Sequence, residues 1–215
     1  MIKVHHLNNS HSHVVLWLLE ELGVDYEIVR HQRDPQTGRS PPSLRAAHPA
    51  AKAPTIEDHG QVMIESGGIL LYLLEAYGNG RLRPAPNTAA AMRFYQWLTF
   101  IEGSAKAPLM NSFFMSRMAP DDTARNGMAA EMAKIPLRLI EDELQSRAFI
   151  AGDAFTAADI QLGFMEELLD GTGQLTAWPG MGAHLERMRA RDGYKQAEAK
   201  GGPVDIGGLF KSLGA

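Results

Sequence analysis

Apolar positions along the first eighty residues change period several times, and each change marks an element. Ile2 to Leu7 is short and partly β-branched, which predicts a strand. Val14 to Leu22 is apolar until Glu20 and Glu21, and Gly23 is placed to stop a helix there. "DYEIVR" returns to a strand pattern, and the intervening helix predicts a parallel pair with a right-handed crossover. Residues 31 to 50 are polar and rich in Pro and Arg, with "PPSLRAAHP" predicting a short helix closed by Pro49. "APTIED" and "QVMIES" read as two strands turning at His59-Gly60, and "SGGILLYLLEAYG" as an amphipathic helix from Ser66 to Tyr77 ended by Gly78.

The resulting order, βαβαββα over residues 1–78, is that of a thioredoxin-like domain. Residues 79–88 lie in the Gly/Pro stretch "GNGRLRPAPNT" and form a linker. Beyond it no strand pattern survives, so the fold class is α/β plus all-α, with residues 89–215 an all-helical domain. Helices are predicted at 89–117, 121–146, 156–170 and 180–191, with a short one at 193–199. Pro136 predicts a kink or an irregular middle in the second of these, and the glycine-rich tail "GGPVDIGGLFKSLGA" predicts loose packing. Thr156 and Asp159 have capping-box spacing, and Phe155 before them can act as a hydrophobic staple. Both side chains can then satisfy backbone N-H groups at the helix start, a reading that makes Asp159 structural.

Composition narrows the chemistry. An apolar share of 45% with 21% charge in 215 residues describes a globular chain, not a disordered one. A net charge of -4 gives no basic field for phosphates, so nucleic acid is not an expected partner. No apolar run approaches the roughly 20 residues needed to cross a bilayer, and Met1 to His6 lacks a secretory pattern, so no membrane partner and a cytoplasmic location are expected. Zero cysteines removes disulfides, thiol nucleophiles and Cys-ligated zinc, and any thiol must come with a ligand. His5, His6, His11 and His13 do not predict a metal site, because His5 and His6 point to opposite faces of a strand with no carboxylate nearby in sequence. The methionines from Met110 to Met132 read as core and adaptable pocket wall.

A thioredoxin-like half, a helical half and no cysteine together resemble the glutathione S-transferase family. "VHHLNNS", "VLWLLEELGVDYEI" and "WLTFIEGSAKAPLM" are most similar to its bacterial and fungal members. The resemblance covers essentially the whole chain, and three motifs carry its site. In "HPAAKAPTI" it implies a cis Ala53-Pro54 bond, whose preceding backbone pairs with the cysteinyl part of glutathione, and Lys52 reaching the glycyl carboxylate. In "IESGGILLYL" it implies that Glu65 and Ser66 grip the γ-glutamyl end, a role that free N-H groups at a helix start favour. A plain N-cap is the alternative reading of Ser66. In "LNNSHSH" it implies a hydroxyl donating to the glutathione sulfur. Ser10 is the choice, Asn9 and Ser12 the alternatives, and simple capping remains open for each. The sequence departs from many relatives here, with His11 and Val14 where they carry Arg.

Further implications concern the helical half. Its first helix would supply a homodimer interface and one wall of a second-substrate pocket, with Met110, Phe113 and Phe114 as wall candidates and core packing as their other reading. Glu102 would help hold glutathione of a neighbouring subunit. The function implied is that of a glutathione transferase, with glutathione as co-substrate, no metal, and a hydrophobic electrophile or a peroxide as partner. A non-catalytic glutathione-binding or regulatory protein on the same scaffold is the rival.

Overall fold

Helix α1 (His13–Leu22) explains the architecture, because residues 13 to 19 are all buried whichever way they face. A helix apolar all round must be covered on every side. In the computed structural model, which describes residues 1–34 and 37–208, a four-stranded sheet covers one side and the helical half covers the other. Strands β1 (Ile2–Leu7) and β2 (Tyr26–His31) are parallel about α1, while β3 (Thr55–Asp58) and β4 (Gln61–Ile64) are antiparallel, in the order β2-β1-β3-β4. Helices α2 (Pro42–Ala47) and α3 (Ser66–Tyr77) complete the predicted βαβαββα order.

The helical half follows as α4 (Ala89–Phe100), a π-helical turn Ile101–Ala105, α5 (Lys106–Met118), α6 (Thr123–Ser146), α7 (Ala157–Gly171), a 3₁₀ turn Leu175–Ala177, α8 (Pro179–Arg189) and α9 (Asp192–Gly201). The expected single helix over 89–117 therefore contains a π turn. Pro108 cannot donate to the carbonyl of residue 104, and just upstream the ladder shifts to longer bonds such as Lys106 N-H to Ile101 O. Helix α6 runs unbroken through Pro136, and the carbonyl it leaves unpaired belongs to Met132, an exposed residue where water can serve. Met118, Met128 and Met132 are exposed whereas Met110 packs against the core, so the methionine-rich stretch is core only in part.

The two halves meet where α7 crosses α1. A Cβ built on Gly163 would lie 2.9 Å from the Trp17 ring, so only glycine permits this approach. Trp17 also meets Tyr194 edge-on at 5.1 Å and Phe155 at 6.1 Å, so the expected staple residue is used in the seam between the halves. Helix α9, longer than predicted, fastens to α1 through a two-pronged Arg191–Glu21 pair at 2.7 and 2.8 Å. The tail does not pack loosely as expected over its described part: Ile206 is buried, and the Asp205 N-H donates to Asn9 Oδ1 at 2.8 Å. The remainder of the tail, 209–215, lies outside the described residues.

The capping box is formed as predicted and extends further. Asp159 accepts from the N-H of Thr156 and of Ile150, each at 2.7 Å, and Nε2 of His184 lies 3.2 Å from it. The other nitrogen of His184 lies 2.8 Å from Glu166, and all three side chains are wholly buried. Burial alone would lower the His184 pKa, but the carboxylates of Glu166 and Asp159 outweigh it and raise it to about 9. Burial raises Glu166. On the other side of the seam, burial lowers His6 to about 4 and His13 to about 3.

Two expectations follow. Asp159→Ala removes one member of a buried charged network and should cost about 3–5 kcal/mol of stability in urea titration, leaving ligand binding by the folded fraction intact. The pH profile should be dome-shaped. The unfolded imidazole titrates near 6.5, so the His184 contribution is complete below that value and lost as pH rises from about 6.5 to about 9. The raised Glu166 carboxyl works in the same direction. His6 and His13 refuse protons that the unfolded chain accepts, so their contribution is lost as pH falls from about 6.5 towards about 4. Urea midpoints should peak near pH 6 to 7 and fall on both sides, each limb worth on the order of a few kcal/mol.

Candidate functional site

Four separate segments converge on a cleft of about 220 Å³: His11, the run Lys52, Ala53 and Pro54, the pair Glu65 and Ser66, and Glu102 with Lys106. The first three groups belong to the sheet half and the last to the helical half, so the cleft lies on the boundary between them.

At the start of α3 the backbone turns sharply. Glu65, the last residue before the helix, has φ 74°, an unusual conformation for a side-chain-bearing residue. Its side chain makes no capping bond, and Ser66, buried at the first helical position, is not an N-cap either. Ordinary capping, the alternative reading of Ser66, is thereby set aside. The first intrahelical bond is Ile69 N-H to Glu65 O, so the N-H groups of residues 66 to 68 have no acceptor of that ladder and lie at the positive end of the helix dipole. The arrangement suits an anion, with the Glu65 carboxylate beside it for a cation.

Ala53-Pro54 is cis, as the resemblance implies. It precedes β3, and the Ala53 N-H and C=O are outside the strand ladder, open to an extended ligand. Thr55 holds the turn by donating to the Lys52 carbonyl at 2.7 Å. The exposed Lys52 ammonium has no carboxylate partner among the described residues.

In the loop between β1 and α1, hydrogen positions follow from the partners. The Gly201 carbonyl can only accept, so His6 presents Nε2-H to it at 3.0 Å and keeps Nδ1 as acceptor. Ser12 then donates to that Nδ1 at 2.9 Å, and with its one hydrogen spent it accepts from Ser10 at 2.8 Å. Ser12 also takes the Leu7 N-H and is completely buried, while Asn9 accepts the Asp205 N-H and has φ 53°. Of the three candidates, Ser12 and Asn9 are committed to holding the loop. Ser10 is half-buried, and its hydroxyl hydrogen points inward along this chain of donors.

His11, next along, lines the cleft in its place. Its Nδ1 lies 3.2 Å from Lys106 Nζ and 3.5 Å from Glu102 Oε2, and its ring packs on Phe164 at 4.9 Å. Burial, with Lys106 and His13 nearby, keeps its pKa well below the ordinary value, so the ring is neutral. Glu102 is shared between Lys106 and the Nε2 of buried Gln161. The structure brings Lys52, Ala53, Pro54, Glu65 and Ser66 onto one cleft, together with His11 and Lys106, which the sequence pattern does not single out as site residues. The i,i+4 spacing of Glu102 and Lys106 was the available signal, though their approach to His11 spans 95 residues of chain. Met110, Phe113 and Phe114 do not line this cleft, and Phe114 is half-exposed.

Among the described residues no group of three or more His, Cys, Asp or Glu side chains could hold a metal ion. His5 instead joins a hydrogen-bonded row on the outer sheet face, with Glu57 at 2.8 Å and His31 at 2.9 Å, and His31 reaches Ser43.

Comparison with known proteins bears on this geometry. A family model described as "Glutathione S-transferase, N-terminal domain" matches residues 4–81. Glutathione S-transferase 3 of Schizosaccharomyces pombe is 33% identical over 178 residues, covering 76% of this chain and 72% of the relative. Glutathione S-transferase 1 of Saccharomyces cerevisiae is 27% identical over 208 residues, 90% of this chain and 86% of the relative. A crystal structure of a glutathione S-transferase from Actinobacillus pleuropneumoniae superimposes with a TM-score of 0.89 at 29% identity over 99% of both chains. A sphingomonad glutathione S-transferase complexed with glutathione gives a TM-score of 0.77 at 26% identity, covering 93% of this chain and 98% of that one.

The backbone at Glu65 allows a direct check of whether function is held there against stability. Glu65→Gly removes the steric cost of φ 74° and should stabilise the fold by about 0.5–1 kcal/mol, read by thermal melting.

Proposed function

Because this chain belongs to the glutathione S-transferase family, we propose that the boundary cleft binds glutathione as co-substrate and presents its sulfur for attack on a hydrophobic electrophile. The observation that carries this reading is the uncapped start of α3, with Glu65 and Ser66 facing the cis Ala53-Pro54 turn across one cleft. The γ-glutamyl carboxylate takes the Ser66 hydroxyl and the open N-H groups, and the α-amine takes Glu65. The cysteinyl backbone pairs with Ala53, and Lys52 meets the glycyl carboxylate.

The sulfur then faces the loop of residues 7–13. Ser10 is the hydroxyl beside it, and it can donate only by turning from Ser12 towards the ligand. The thiolate attacks an electrophilic carbon and the leaving group departs, or it attacks a peroxide oxygen, breaking the O–O bond so that an alkoxide leaves to be protonated as the alcohol and the glutathione sulfenic acid condenses with a second glutathione, releasing water and the disulfide. Rate comes from thiolate population and from holding the two reactants together. The second substrate enters from the helical half. A homodimer is part of the proposal: Met128, Met132, Ile135 and Leu139 expose an apolar stripe on α6, and Met92 and Tyr95 another on α4. No described helix is long and apolar enough to cross a membrane.

Calorimetric titration with glutathione, followed by steady-state conjugation of chlorodinitrobenzene, tests the reading. Glu65→Gln and Ser66→Ala should each weaken glutathione binding about tenfold, the size expected for one charge-assisted bond. Absence of binding by the unsubstituted protein would overturn the proposal. Binding without conjugation of any electrophile would leave a glutathione-binding protein and remove the transferase step.

A further inference from the structure

The loop hydroxyl does not point at the place where the sulfur is expected, and the cleft contains another donor that needs no rearrangement. Resting on the glutathione reading of the cleft, we propose that His11 and Lys106 together hold the glutathione sulfur as thiolate, His11 through its Nε2-H and Lys106 through its charge.

The tautomer follows from the neighbours. An ammonium can only donate, so the Lys106 Nζ at 3.2 Å makes His11 Nδ1 an acceptor. A neutral ring has a single N-H, which must therefore sit on Nε2. Burial and the adjacent Lys106 keep the ring neutral across the working range. Nε2 has no hydrogen-bond partner among the described residues, and the ring lines the cleft. Its orientation is fixed by packing on Phe164 and by the Lys106 bond. A rigid donor without a protein acceptor, at the mouth of an anion-binding cleft, is preorganised in the sense that stabilises developing charge.

Lys106 has three N-H groups and spends two, on Glu102 and on His11. The third remains for the cleft that it lines. Glu102 would repel a thiolate if its charge were free, but its two oxygens are occupied by Lys106 and Gln161. The other charged groups lining the cleft are Lys52 and Glu65, assigned above to the two ends of the tripeptide. The π turn matters here. By adding a residue to one turn it advances every later side chain, Lys106 included, around the helix axis relative to an unbroken α-helix.

The measurement is the ultraviolet titration of the thiolate in bound glutathione. In the unsubstituted protein the bound thiol should titrate at least one unit below the free value of about 8.5. His11→Phe keeps a ring against Phe164 and loses the N-H, and Lys106→Met keeps the stem and loses the charge. Each should raise the bound-thiol pKa by about one unit and lower kcat/KM about tenfold at neutral pH, with the deficit closing in alkaline buffer. Both should retain affinity for S-methylglutathione, which has no thiol, within about twofold, and this separates sulfur recognition from a damaged cleft. Lys106→Arg should restore most of the shift. The proposal is overturned if both variants leave the bound-thiol pKa unchanged, or if Ser10→Ala alone abolishes the shift. If the unsubstituted protein fails to bind S-methylglutathione, the cleft reading itself is what has failed.

Discussion

Trp17 rests on Gly163, and the two halves of the molecule can share one core only because nothing protrudes from α7 at that point. Helix α1 is buried on every side, so the sheet half on its own would leave a wide apolar face in water. Covering that face by α7 and α9 fixes the angle between the halves. It also decides which residues of α4 and α5 lie opposite the β1–α1 loop. The cleft at the boundary is thus a product of core packing. His11 comes from one side of the seam and Glu102 with Lys106 from the other.

Polar groups inside the helical half do a different job. Asp159, Glu166 and His184 are all fully buried, and burying charges this deeply is costly unless each is matched. Here the matching is close to complete: backbone N-H groups of residues 150 and 156 reach Asp159, and both nitrogens of His184 face carboxylates. Apolar contacts would permit α7 and α8 to slide, whereas this network admits one arrangement. The register of α7 against α1, and so the position of Gly163 under Trp17, inherits that definition.

Signals confined to a few neighbouring residues were readable from the sequence. Glu65 and Ser66 at a strand-to-helix junction and Ala53-Pro54 at a strand start are short motifs that could be matched to the family, although an X-Pro pair or a serine at a helix start does not fix one outcome alone. The capping box at Thr156 was readable for the same reason. What escaped were features decided by contacts between distant residues. Whether Ser10 can donate depends on Ser12, then on His6, then on the carbonyl of Gly201, a chain that spans most of the molecule. His11 looked like a missing cation because its relation to Lys106 crosses the seam. Pro136 looked disruptive because a pattern does not reveal that the carbonyl it orphans is on the water side.

The row of donors from Ser10 to Gly201 also has a consequence for the order in which the molecule is made. A ribosome releases the sheet half first, with Trp17 and the outer face of α1 bare until α7 and α9 have emerged. The loop that faces the cleft cannot acquire its final hydrogen positions before Gly201 is available, and Asn9 waits further still for the N-H of Asp205. The residues nearest the N-terminus are therefore among the last to take their working form. While the helical half is being made the nascent chain carries an uncovered apolar half, and the site is complete only once the two halves have closed.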